Sequence, residues 1–201
     1  MRQHLTLGLA AGFLLGVLPG VAMAQSVSVS RSVLENQPYT LIYPDPMVAS
    51  GGLDAPVVIN HPDAPLQCSM SIVPVEDSDQ WTAEAALASL DDGDVTAGWA
   101  ESFPGFTLMN KSVVEYQSGP ALLYDGTSTD SPMGMPLTIV HTETVDSGRG
   151  YTLDCYYDTA GEAQLRPLVD FIIANFSTSS GAGCCVGAEP ETAEDATASP
   201  Q

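Results

Sequence analysis

Residues 150–176 change their hydrophobic period once, and that change constrains the fold more than any other feature of the chain. Up to residue 157 the period is two. Tyr151, Leu153, Cys155 and Tyr157 share one face, and Thr152, Asp154 and Tyr156 take the other. An apolar face backed by a more polar one predicts a strand of an antiparallel sheet with a single buried side. Beyond it, Leu165, Leu168, Val169, Ile172, Ile173 and Phe176 recur at spacings of three and four, the stripe of a helix lying on a core. Thr159 and Glu162 match a capping box at the helix start. Pro167 either kinks this helix or opens a shorter one.

The N-terminus reads as an export address. In residues 1–24, Arg2 precedes an apolar run over residues 5–18, and Ala22-Met23-Ala24 offers a small-residue cleavage site before Gln25. The run is short for a membrane span, so the expectation is a periplasmic or secreted protein with no membrane insertion. Cleavage removes Arg2 and no acid, which takes the formal charge from -20 to -21 and leaves Arg31, Lys111, Arg149 and Arg166 as the fixed cations. Nucleic acids and anionic membranes are bound through Lys and Arg, so such a surface repels both.

Composition divides the mature chain. Residues 25–36 are rich in short side chains and read as a flexible segment, residues 37–176 as a single domain, and residues 177–201 as a disordered acidic tail. The tail has no aromatic residue and carries Glu189, Glu191, Glu194 and Asp195, too little apolar surface to offset the entropy of ordering.

Within the domain, strands are predicted at residues 39–43, 57–59, 66–73, 106–116, 120–124, 136–145 and 150–157. Leu66, Cys68, Met70 and Ile72 alternate onto one face of the third. Helices are predicted at residues 81–90, with Asp79 as N-cap, and at residues 95–103. A tight turn at Gln117-Ser118-Gly119 joins two strands into a hairpin, and Asp146-Ser147-Gly148-Arg149-Gly150 turns the next strand into the last one. Strands, a helical pair, a run of strands and a last helix make an α+β protein with a central antiparallel sheet.

Three stretches give a family likeness: Tyr39-Thr40-Leu41-Ile42-Tyr43-Pro44, the hairpin-rich middle, and the strand around Cys155 leading to a helix that ends Ala174-Asn175-Phe176. Together they resemble the PsbP-like superfamily, which includes a photosystem II extrinsic protein, a nuclear-import factor and many small exported bacterial proteins. The resemblance spans residues 39–176 and rests on scaffold positions. It implies an α-β-α sandwich and a binding or assembly role without catalysis, and it carries no site residue across.

The chemistry-bearing residues are few. Cys68 and Cys155 lie on the apolar faces of two strands, and an oxidising compartment predicts a bridge between them if those strands are neighbours; two buried thiols are the alternative. Cys184-Cys185 leaves three outcomes open: an adjacent-residue disulfide, a link to another chain, or free thiols. His61 and His141 are the only histidines of the mature chain. His141 follows Leu137 and Ile139 in period two and reads as a core histidine with a hydrogen-bond partner. A sharper reading groups it with Met133 and Met135, and with Met70 or Met109, as a soft copper site. Asp91-Asp92-Gly93-Asp94 lacks the glycine and closing glutamate of a calcium loop and reads as a helix-breaking turn.

No nucleophile elbow, zinc-protease motif, phosphate loop or dinucleotide fingerprint is present in the sequence. The expectation is therefore a non-catalytic exported domain with a protein partner and no cofactor. The rival readings are a small hydrolase using His61 or His141, and a copper-handling protein using Met133, Met135 and His141.

Overall fold

The computed structural model of the chain describes residues 29–32, 38–52 and 56–185. The expected signal at residues 1–24 lies outside these residues, as do most of the 25–36 segment and residues 186–201.

The elements run β1 (Val29–Ser32), β2 (Leu41–Pro44), β3 (Val48–Ser50), β4 (Val57–Asn60), β5 (Leu66–Pro74), α1 (Ala83–Ser89), α2 (Asp92–Ser102), β6 (Phe106–Tyr116), β7 (Gly119–Ser128), β8 (Leu137–Asp146), β9 (Arg149–Asp158) and α3 (Glu162–Ala174). β1 pairs with β2; the other seven strands form one antiparallel sheet in the order β3-β4-β5-β9-β8-β7-β6. The fold is thus α+β, an antiparallel sheet with helices packed on it.

Two tight turns fix the register of the long strands. Ser147 and Gly148, at φ 50° and 76°, form the two-residue loop between β8 and β9. Positive φ at both central positions matches the twist of the flanking strands and locks Asp146 opposite Arg149. β6 and β7 close at Tyr116 opposite Gly119, and a bulge at Met109 then shifts the pairing by one. Gly126 lies under that bulge. A Cβ there would fall 2.5 Å from both the Phe106 ring and the Thr107 carbonyl oxygen, so the site admits only hydrogen.

One face of the sheet is covered by α3 and β2. Leu165, Val169 and Ile172 of α3 meet Leu66, Met70, Leu153 and Tyr157 of the sheet, all buried. Phe176 closes this core against the rings of Tyr39, Tyr116 and Tyr151. Each such large side chain contributes about 1.5–3 kcal/mol on full burial. Arg166 ties α3 to the sheet through Asp125 at 3.1 Å.

The expectation of a single buried side needs correction. α1 and α2 bury the other face over β6, β7 and β8, where Val95, Phe106, Leu122, Tyr124 and Ile139 form a second core. The physical sign is in β7: Ala121, Leu122, Leu123 and Tyr124 are all buried, so the run is continuously apolar and not alternating. The one-sided pattern of β5 belongs to the part of the outer face that the two helices leave uncovered, whereas Tyr156 of β9 packs against the second core.

Local starts also differ from the predicted ones. Thr82, not Asp79, caps α1 by accepting from Ala85 N–H at 3.1 Å. Asp91 ends the gap between helices by capping α2, its Oδ1 accepting from Gly93 and Asp94 N–H. Glu162 does not complete a capping box; its Oε2 instead accepts from Tyr157 Oη at 2.7 Å. Pro167 sits inside α3. β3, β1 and the second half of β7 carried no clear pattern in the sequence.

Cys68 and Cys155 are directly opposed on β5 and β9 and joined by a disulfide, with Cα atoms 4.0 Å apart. Cys184 and Cys185 are paired with each other. The ordered chain also runs past Phe176, where composition places the start of the tail. Ser177 exchanges two backbone hydrogen bonds with Thr40, Thr178 Oγ1 donates to Asp146, and Ala182 N–H donates to Thr40 Oγ1. Short hydroxyl side chains, read as signs of disorder, here satisfy the backbone of a docked strap.

Candidate functional site

The sheet register assembles a row of polar and aromatic side chains on one face of the sheet. Residues opposed across neighbouring strands run Ser69 on β5, Asp154 on β9, His141 on β8, Tyr124 on β7 and Lys111 on β6. Side chains in such a row share a face. α2 lies over it and supplies Trp99.

His141 is 8 % exposed, with a carboxylate facing each ring nitrogen. Nδ1 stands 2.6 Å from Asp154 Oδ1, and Nε2 stands 3.6 Å from Glu143 Oε2. Its ring stacks on Tyr124 at 4.3 Å between centroids, and Trp99 meets it edge-on at 5.9 Å. Trp99 Nε1–H donates to Tyr124 Oη at 2.9 Å, which fixes both rings. Phe103 and Tyr156 stack at 5.1 Å and extend the aromatic cover toward β9.

Electrostatics follow from this geometry. Burial alone would lower the His141 pKa, but the hydrogen bonds and negative charge of Asp154 and Glu143 outweigh it and raise the group to about 9. At neutral pH the ring is an imidazolium with both nitrogens protonated, so it has no lone pair with which to take a proton or bind a metal. Burial pushes the Tyr124 phenol up to about 12, so it stays neutral. What the cluster can do is tie β8 to β9 through the His141–Asp154 pair and hold α2 to the sheet through the ring contacts of Trp99 and its hydrogen bond to Tyr124.

The other singled-out residues do not join it. His61 lies in the turn before β5, where its Nδ1 accepts from Asp63 N–H at 3.2 Å. Met70 belongs to the core on the opposite face of the sheet. Met109 sits exposed at the bulge of β6, and Met133 is 51 % exposed in the loop before β8. Met135 is half-buried in the same loop, its carbonyl accepting from Ser131 Oγ. Among the described residues no group of three or more His, Cys, Asp or Glu is placed to hold a metal ion.

Sequence reasoning missed Asp154, Glu143, Tyr124 and Trp99 as neighbours of His141. For two of them the signal was present. A two-residue Ser147-Gly148 loop pairs Asp146 with Arg149, and counting back along both strands places His141 opposite Asp154, with Glu143 two residues along on the same face. Tyr124 needs the β7–β8 register, and Trp99 needs the tertiary placement of α2, which no local pattern encodes.

No family model matches the sequence, and no curated protein matches it. Among solved structures, the cyanobacterial PsbP (CyanoP) of Synechocystis sp. PCC 6803 is similar at 16 % identity, covering 81 % of this chain and 97 % of that one, with a TM-score of 0.54. LpqN of Mycobacterium tuberculosis, involved in cell envelope biogenesis, aligns at 14 % identity over 76 % of this chain and 92 % of its own, with a TM-score of 0.45. The Ran-binding protein Mog1p of Saccharomyces cerevisiae aligns at 10 % identity over 75 % and 95 %, with a TM-score of 0.49. At these identities the cyanobacterial likeness is one of fold.

Proposed function

We propose that this chain is an exported, non-catalytic domain that works by binding a protein partner. The observation that carries the reading is the state of His141. The buried histidine of the domain, which a hydrolase would use as its base, lies under Trp99 with Asp154 at Nδ1 and a carboxylate, Glu143, and not a nucleophile facing Nε2. The row places Ser69 beside Asp154 and not beside the imidazole, which is the wrong order for a nucleophile served by a histidine.

Further support comes from the resemblance to PsbP-like proteins, which implies a binding or assembly role. Export is supported by the signal pattern of residues 1–24 and by the Cys68–Cys155 bond, a linkage that persists in oxidising compartments.

The test has two arms. Photo-crosslinkers placed around the surface of the full chain, in cells that export it, should yield discrete adducts with a protein. Chromogenic ester, phosphate and glycoside substrates should be turned over no faster than by buffer. A hydrolytic activity that disappears in His61→Ala or His141→Gln, with melting behaviour intact, would overturn the reading.

A further inference from the structure

α1 is a helix of seven residues with an open groove along each side. One groove, of about 590 Å³, runs from α1 to the β6–β7 turn and the strap after Phe176, with Glu84 and Asp146 in its walls. The other, of about 640 Å³, separates α1 from α2. Its lining combines Ala86, Leu90 and Leu122 with Asp91, Asp94 and Glu143. Trp81 and Thr82 line both grooves and form the ridge between them.

We propose that these two grooves, with Trp81 at their shared ridge, form the docking surface for a basic, partly apolar polypeptide segment of the partner. The inference rests on the interaction reading above and gives it a place and a chemistry. Charge complementarity carries it. Five carboxylates line the grooves and none of the lining residues is Lys or Arg. Asp91 caps α2, Asp146 accepts from Thr178 and Glu143 faces His141, so Glu84 and Asp94 carry most of the attraction. Lys111, the cation beside α1 and α2, is held by Leu90 O at 3.1 Å and by Asp92. The formal charge of -20 adds a long-range field that steers cationic segments and repels anionic ones.

The surface also has the anatomy of an interface. Trp81 is half-buried, so it is anchored against the second core while part of its ring faces outward. A central tryptophan within a polar rim is the usual arrangement of an energetic anchor, and its face attracts lysine and arginine. Leu90, Ala86 and Leu122 offer apolar contacts for side chains between the basic ones. The uncovered part of the sheet's outer face lacks this complementarity: Gln67, Ser69, Ser71 and Thr152 are neutral.

The experiment uses the full chain and a fluorescein-labelled synthetic peptide of alternating lysine and leucine, with a glutamate–leucine peptide and spermine as comparisons. Fluorescence anisotropy should show saturable binding of the basic peptide alone, weakening as salt rises. Trp81→Ala should weaken it about tenfold or more, an anchor-sized loss. The pair Glu84→Gln with Asp94→Asn should also weaken it severalfold, while Glu101→Gln with Asp130→Asn, the same charge change outside the grooves, should not. Equal losses in both pairs would show unspecific charge attraction and overturn the proposal. Spermine binding as tightly as the peptide would overturn the polypeptide occupant. Crosslinked adducts that form through another face and survive Trp81→Ala would sink this surface while leaving the interaction reading standing.

Discussion

Nδ1 of His141 lies 2.6 Å from Oδ1 of Asp154, its directly opposed residue on the neighbouring strand. The pair sits on the outer sheet face under Trp99, with Glu143 at the other ring nitrogen. One histidine is thereby made a cation of the fold, and the β8–β9 pairing beneath α2 becomes tied to pH.

The sign of that dependence is fixed by the direction of the shift. The folded state holds the His141 proton to about pH 9, above the ordinary 6.5, so folding takes up a proton between these values. The clamp's stabilisation is fully present below about pH 6.5 and is lost as pH rises through about 9. At 1.36 kcal/mol per pKa unit, on the order of 3 kcal/mol is at stake, less what the partly exposed Glu143 loses to solvent screening. Thermal melting should show Tm falling across this window, and His141→Gln should flatten the slope. A parent profile that is flat there contradicts the clamp.

The Cys68–Cys155 bond closes a loop with a sequence separation of 87. Constraint of the unfolded chain by such a loop corresponds to about 4–5 kcal/mol in the chain-entropy model, an upper figure. Reductant should lower the melting midpoint of the parent and of Cys184→Ser with Cys185→Ser alike. An unchanged midpoint on reduction would show that the bond contributes nothing.

Gly126→Ala tests the bulge. The added methyl would meet the Phe106 ring, part of the covered outer face, and the Thr107 carbonyl. Overpacking of this kind costs about 1–3 kcal/mol. Denaturant unfolding should show that loss, and a midpoint equal to the parent's would mean that β6 yields easily.

Truncation decides the role of the strap. A chain ending at Phe176 loses the two Thr40–Ser177 backbone bonds and the Thr178–Asp146 bond, whereas one ending at Gly183 keeps them. At about 1 kcal/mol per bond, the shorter chain should be less stable by about 3 kcal/mol. Equal melting of the two chains would return residues 177–183 to the disordered tail.

What the sequence showed and what it hid divide along physical lines. Period-two alternation in β5 and β9, and the stripe of α3, lie within single elements and mark the face turned to the α3 core, so the antiparallel α+β sheet was legible. The outer layer was not. α2 places Trp99, Phe103 and Val95 against the sheet by tertiary packing, and the polar residues of its first turn masked its start. The strap after Phe176 was hidden for a different reason. Its stability comes from hydrogen bonds to Thr40 and Asp146, remote in sequence, and composition is blind to such partners. Asp154 facing His141 lay between these cases, readable from the Ser147-Gly148 turn but only by counting register across it.

The most direct measurement of whether His141 is a clamp or a base is an NMR titration of its imidazole in the folded protein. The carboxylates on either side of the ring predict a midpoint raised to about 9, with both ring nitrogens protonated at neutral pH. A midpoint near the ordinary 6.5, with one nitrogen deprotonated at neutral pH, would expose a free base beneath α2 and contradict the non-catalytic reading.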